Sequence, residues 1–266
     1  MRIVDCHVHV EGQVEAGALL ASMDGNGVHR ILAMSEYERN SREKAAENLR
    51  QVQRLIQASP ERIGGLAWIN PAMSGAVELA EKALCDWGFS GIKIIPDHWF
   101  VYEERFEPFW EKLHSLSASV LFHTGILYAF DDGSRFCRPV YLEKLLHYPN
   151  IRFAMAHVSW PWCEECLAVM GRMQAAAREK GFEWQSYIDT TPGTPPHIRE
   201  HAVRNAVDFC GPDRILFGSD SMIPGDLSHQ KDVLSRDTAL YAKLGLEEEQ
   251  MRKIFSGNAD ILFPPR

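Results

Sequence analysis

Ile3-Val4-Asp5-Cys6-His7-Val8-His9-Val10 is the stretch that decides the fold. It is a short β-branched run that ends in two histidines separated by one residue, and it fits a buried strand better than a helix turn. Seven similar runs follow. They are ILAMSE from Ile31, IGGLAWIN from Ile63, GIKIIP from Gly91, SVLFHTG from Ser119, IRFAMAHVSW from Ile151, WQSYIDTTP from Trp184 and RILFGSD from Arg214. Continuous apolar strands of this length suit a parallel sheet buried on both faces. Between them lie amphipathic stretches of helical length. SREKAAENLRQVQRLIQASP is the clearest, with Ser41 as N-cap, Ala45, Leu49, Val52 and Ile56 on one side and a stop at Pro60. GALLASMDGNG, SGAVELAEKALCDWG, EPFWEKLHSLSA, RPVYLEKLLHYPN, CLAVMGRMQAAAREKG, PPHIREHAVRNAVDFCG and DLSHQKDVLSRDTALYAKLG complete the series. The final EEEQMRKIFSGNADILF is expected to pack against one end.

Eight strand–helix alternations predict an α/β fold, a single (β/α)8 TIM barrel, although alternation alone also suits an open doubly wound sheet. The 266 residues fit one such barrel, and no linker or low-complexity run divides them, so residues 1–266 are expected to form one domain. A formal charge of −8 without a basic stripe argues against nucleic acid as the main partner. No apolar stretch approaches a membrane span, and the N-terminus lacks a signal-peptide layout, which predicts a cytoplasmic protein. The expected partner is a small-molecule substrate; assembly into a homo-oligomer is left open.

In a (β/α)8 barrel, chemistry gathers where the strands end. Residues i and i+2 of a strand share a face, so His7 and His9 can both enter the barrel mouth. Strand 5 ends in His123, strand 6 in His157 and strand 8 in Asp220. Imidazole nitrogens and a carboxylate are the donors zinc and similar ions accept. Histidine fills 11 of 266 positions. Four histidines at such ends by chance is on the order of one in a million, or a hundredfold more once strand ends slide by a few residues. A divalent metal is therefore expected, Zn2+ before Mn2+, with one ion favoured and two open.

The same residues, together with the wording VDCHVHV, WINP, GIKIIP, RILFGSD and SGNADILF, resemble the amidohydrolase superfamily. The likeness is to the amidohydrolase-related branch that contains aminocarboxymuconate-semialdehyde decarboxylase, and it spans essentially the whole chain. It implies His7, His9 and His123 as metal ligands. Asp220 would ligate the ion and take a proton from its bound water, and His157 would orient that water or ligate a second ion. Lys93, at the end of strand 4, sits where some superfamily members carry a carbamylated lysine bridging two metals; otherwise it binds a substrate carboxylate or points away. The leading expectation is a metal-dependent hydrolase that cleaves an amide, ester or lactone of a small polar metabolite. The alternatives are a non-oxidative decarboxylase of a small unsaturated or aromatic acid, and a barrel that binds without turnover.

Loops after the strands carry specificity, which makes His98, Trp99, Tyr128, Arg135, Trp160 and His197 candidate substrate contacts. Two short motifs compete weakly. His197-Ile198-Arg199-Glu200-His201 matches the H-x-x-E-H zinc-peptidase pattern, and Cys163-x-x-Cys166 lacks the second pair a zinc ribbon would need.

Overall fold

A computed structural model describes residues 1–223 and 228–265. The first two residues of the DLSHQKDV stretch, 226 and 227, lie outside the described residues. Among the described residues the sheet has nine parallel strands in the order β8-β7-β6-β5-β4-β3-β2-β1-β9. The strands are β1 Val4–Val10, β2 Arg30–Met34, β3 Ile63–Trp68, β4 Gly91–Ile94, β5 Ser119–Phe122, β6 Arg152–Met155, β7 Ser186–Asp189, β8 Ile215–Leu216 and β9 Ser221–Ile223. Each expected strand is present, and the eighth is broken in two.

That break closes the sheet. The Cys6 amide donates to the Phe217 carbonyl at 3.1 Å and the Asp220 amide to the His7 carbonyl at 2.9 Å, and Val8 then pairs with Ser221. The last strand therefore meets the first, and an open doubly wound sheet is excluded.

Helices wrap the outside: α1 Ala16–Asn26, α2 Arg42–Ala58, α3 Ala76–Cys85, α4 Glu107–Ser115, α5 Cys163–Lys180, α6 Pro196–Cys210 and α7 Ser228–Lys243. The Ser41 hydroxyl accepts from the Lys44 amide and starts α2 as its sequence predicts. RPVYLEKLLHYPN differs from expectation, because Pro139–His147 winds as a 3-10 helix. Its apolar spacing fits either winding.

Two apolar layers follow from the strand period. Ile31, Ala33, Ile92, Ile94, Val120 and Phe122 face the helices, while Val4, Cys6, Leu32, Leu66, Leu121 and Leu216 fill the barrel. Ala259, Leu262 and Phe263 join the inner layer. They come from the chain end, where α8 Glu248–Arg252, a π turn Lys253–Gly257 and α9 Asn258–Leu262 plug the barrel opposite the histidines. Arg30, fully buried, donates to the Phe263 carbonyl at 2.9 Å and ties the plug to β2.

Candidate metal centre

A register shift in β1 aims the histidine pair. Pairing with β2 slips between Asp5 and Val8. Val4 and Cys6 belong to the inner layer, yet Val8 and Val10 belong to the outer one. An irregularity of this kind re-aims side chains beside active sites. Its effect here is to turn His7 and His9 into the mouth and Asp5 behind them. There the Asp5 carboxylate accepts from Ser219 Oγ at 2.5 Å, the Ser219 amide at 2.9 Å and Gln230 Nε2 at 2.8 Å.

Local backbone does the same at the other strand ends. His157, Val158 and Ser159 all take positive φ (61°, 48° and 56°), as does Asp220 (60°). Non-glycine residues held there store strain that packing must overcome, a common feature of functional sites. Thr124 Oγ1 braces the first run by donating to the Ala156 carbonyl at 2.9 Å. Gly218 allows the closest approach. A Cβ there would lie 2.5 Å from Thr191 Cγ2 and 2.7 Å from His7 Cβ.

His7, His9, Lys93, His123, His157 and Asp220 all line one cavity of about 960 Å³, with Tyr128 and Trp160 nearby. His7, His157 and Asp220 offer donor atoms within 4.8 Å of one another. His7 Nε2 and His9 Nε2 each lie 3.2 Å from Asp220 Oδ1. The His123 ring stands 4.9 Å from that of His157, but its Nε2 donates to the Ile126 carbonyl at 3.1 Å.

Electrostatics put these groups in their ligand forms. Burial, with Lys93 adding to it, holds the His7 imidazole well below its usual range, Asp220 only partly opposing. Burial likewise lowers His157, and burial with His157 and Lys93 lowers His123 well below that range. For Asp220, burial pushes upward, but His7, a hydrogen bond from His9 and His157 outweigh it and hold the carboxyl well below the carboxylate range. Lys93 is fully buried, and burial, opposed by Asp220 and Asp189, lowers its ammonium to about 8.

The donor chemistry fits a divalent ion. His157 Nδ1–H donates to the Pro192 carbonyl at 2.7 Å, which leaves its Nε2 lone pair free. His7 Nδ1 is engaged by Asp189 Oδ2 at 2.6 Å, so its Nε2 lone pair faces the Asp220 carboxylate. Two acceptors 3.2 Å apart repel unless a cation lies beside them; Lys93 Nζ, 3.2 Å from His7 Nε2, supplies one positive charge there and a bound divalent ion would supply another. Nitrogen and carboxylate donors with open cavity alongside describe a catalytic rather than a structural site.

Four expected substrate contacts fall outside the cavity. A positive φ of 61° turns the His98 ring away, and it bonds Asp97 Oδ1 at 2.6 Å and Asp132 Oδ1 at 3.0 Å instead. Trp99 is core, edge-on to Phe106 at 5.0 Å. Arg135 projects to solvent over Phe136 and pairs with Asp132. His197 is exposed on the first turn of α6, which faces outward there. The peptidase motif fails with it, since His201 pairs with Asn205, and Glu200 with Arg204 and Lys243. Cys163 and Cys166 are buried free thiols on α5, and burial raises both.

The sequence did not flag Tyr37, Trp68 and Phe130, which form much of the cavity wall: Tyr37 stacks on Trp68 at 4.9 Å and meets Phe130 edge-on at 5.0 Å. Nor did it flag Asp189, although the rule that found His123 and Asp220 applies equally to the end of β7.

An amidohydrolase family model matches residues 4–264. The chain belongs to the amidohydrolase family and is an enzyme of that divalent-metal-dependent superfamily. No curated protein matches it in sequence. Among solved structures it is similar to 2,6-dihydroxybenzoate decarboxylase complexed with 2,6-dihydroxybenzoate, at 16% identity and TM-score 0.72 over 98% of each chain. It is also similar to 5-carboxyvanillate decarboxylase of Novosphingobium aromaticivorans complexed with manganese and 4-hydroxy-3-methoxy-5-nitrobenzoic acid, at 13% identity and TM-score 0.72 over 98% of this chain and 96% of that one. A third is a probable 2-pyrone-4,6-dicarboxylic acid hydrolase of Acinetobacter baumannii with citric acid bound, at 14% identity and TM-score 0.64 over 99% of each chain. Among the described residues no helix is long and apolar enough to cross a membrane.

Proposed function

We propose that this enzyme is a divalent-metal-dependent, non-oxidative decarboxylase of a small aromatic or unsaturated monocarboxylic acid, rather than a hydrolase of a polar metabolite. The observation that carries this reading is the contrast between the floor and the wall of the cavity. Lys93 and the donors His7, His157 and Asp220 lie at the floor, while Tyr37, Trp68, Phe130, Trp160, Ile95 and Leu127 make the wall. Such a wall holds a planar apolar body and excludes water, whereas a polar metabolite would need convergent polar groups there. The decarboxylases among the similar structures support the same choice.

Losing CO2 breaks a carbon–carbon bond, leaves the electron pair on the carbon and requires a proton there. A divalent ion on His7, His157 and Asp220, with His9 and His123 alongside, would supply positive charge against the oxygens of the acid. Lys93 at the floor anchors the carboxylate. Asp220, with its side chain 31% exposed toward the cavity, relays a proton from solvent to that carbon as CO2 leaves. Zinc and manganese both suit these donors.

The test is a panel of hydroxybenzoates, unsaturated acids, lactones and amides, offered to protein reconstituted with Zn2+ or Mn2+. CO2 release with one-to-one formation of the decarboxylated product supports the reading. Hydrolysis without CO2 overturns it in favour of water attack. Chelation should abolish activity and Zn2+ or Mn2+ restore it; ion binding should raise the unfolding free energy by RT ln(1 + [ion]/Kd), about 2.7 kcal/mol at a hundredfold excess over Kd, and the Tm with it.

Charge narrows the substrate further. Among the described lining residues Lys93 is the sole lysine or arginine, and the exposed Glu11 and half-buried Glu36 add negative charge to the lining. Arg39, near the mouth, is held by Asp97 at 2.6 Å. A second carboxylate would therefore meet like charge, which disfavours it. Benzene dicarboxylates are expected to bind about tenfold more weakly than matched monoacids, roughly 1.4 kcal/mol. Competition titration checks this, and Glu36→Gln should narrow the gap.

A further inference from the structure

We infer that Asp189 is the positioning residue that makes His7 a metal donor, by fixing which ring nitrogen carries the proton. The inference rests on the metal-holding role proposed above for His7 and is independent of the substrate. Asp189 ends β7 and is fully buried. Its two oxygens have separate duties. Oδ1 accepts the Thr191 amide at 2.7 Å, and Oδ2 lies 2.6 Å from His7 Nδ1. A carboxylate has no proton to give, so the His7 proton resides on Nδ1 and Nε2 is left bare.

The far side of the ring agrees. Lys93 Nζ lies 3.2 Å from His7 Nε2, and an ammonium can only donate. Gly218 closes the space around the pair, since even a Cβ there would come within 2.7 Å of His7 Cβ and 3.2 Å of Asp189 Oδ1. Carboxylate, imidazole and ion in line are the arrangement by which a ligand histidine is held and its basicity raised.

Asn at position 189 keeps the shape and reverses the chemistry. If its oxygen stays on the Thr191 amide, its NH2 faces His7 Nδ1 and donates to it. The imidazole proton then moves to Nε2, where Asp220 Oδ1 at 3.2 Å accepts it. One substitution thus occupies both leading donors. The flipped amide would set two fixed donors together at Thr191, so the imidazole is the group that yields.

The experiment reads the 15N signals of the histidines in metal-free protein, with His7 assigned by comparison with His7→Gln. The unaltered protein should show His7 protonated at Nδ1 and bare at Nε2; D189N should show the reverse. In a chelator-competition titration with Zn2+, D189N should bind about 10–100-fold more weakly. A proton on Nε2 in the unaltered protein overturns the inference. So does D189N that binds Zn2+ within twofold of the unaltered protein, or that loses affinity with the His7 tautomer unchanged. Should D189N not fold, the tautomer of the unaltered protein decides alone. No substrate enters these measurements, so an enzyme that releases no CO2 leaves them standing.

Discussion

Asp220→Asn is expected to lower kcat by about a thousandfold, within the 10²–10⁴ range for losing a proton-transferring side chain, and to weaken metal binding with it. Asn is the informative replacement because the backbone at Asp220 has φ 60°, a conformation that Asn adopts with little strain and Ala does not. A variant with unchanged circular dichroism and Tm but little turnover therefore reports chemistry. The carboxylate sits where His7 and His9 both reach Oδ1 at 3.2 Å, and the amide keeps that shape while losing the charge and the proton affinity. A kcat within tenfold of the unaltered enzyme would remove Asp220 from the mechanism. Trp68→Ala should act differently, raising KM about tenfold with kcat nearly unchanged, because that ring is part of the wall and not of the floor.

Asp237→Ala is expected to cost about 3–5 kcal/mol of stability, because it strands a buried guanidinium. Arg199 gives Nη2 to Asp237 Oδ2 at 2.6 Å and Nε to Oδ1 at 3.2 Å, and neither group reaches solvent to any extent. The same Nη2 donates to the Thr190 carbonyl at 2.6 Å, and Thr190 Oγ1 lies 2.8 Å from the Tyr241 hydroxyl. The pair therefore pins the residue between Asp189 and Thr191, the two residues that hold His7 and His157 in place. For a chain of this size the Tm should fall by roughly 6–20 °C. Thermal unfolding measures it. A fall under 2 °C would mean the pair is solvated or replaceable, and the support for β7 would have to be sought elsewhere.

The strands were legible because a parallel sheet covered on both faces demands continuous apolar runs, and such runs stand out against amphipathic helices. His7, His9, His123, His157 and Asp220 were legible because polar residues at the ends of those runs have few structural reasons to be there. Asp189 satisfied the same rule, but one carboxylate beside Thr190 and Thr191 reads as ordinary strand-end polarity until His7 is seen against it. His98, Arg135 and His197 went astray for the opposite reason. A loop residue near the mouth in sequence can turn outward, as the left-handed backbone at His98 shows.

The amino-acid order alone determined the alternation of strand and helix and the kinds of donor atom at the strand ends, since both follow from local periodicity. Closure through the broken eighth strand, the choice of bare nitrogen on His7 and His157, and the aromatic wall of Tyr37, Trp68 and Phe130 were decided by tertiary structure. Each depends on where a side chain points relative to residues distant in the chain, and that direction is set by packing and by long-range hydrogen bonds.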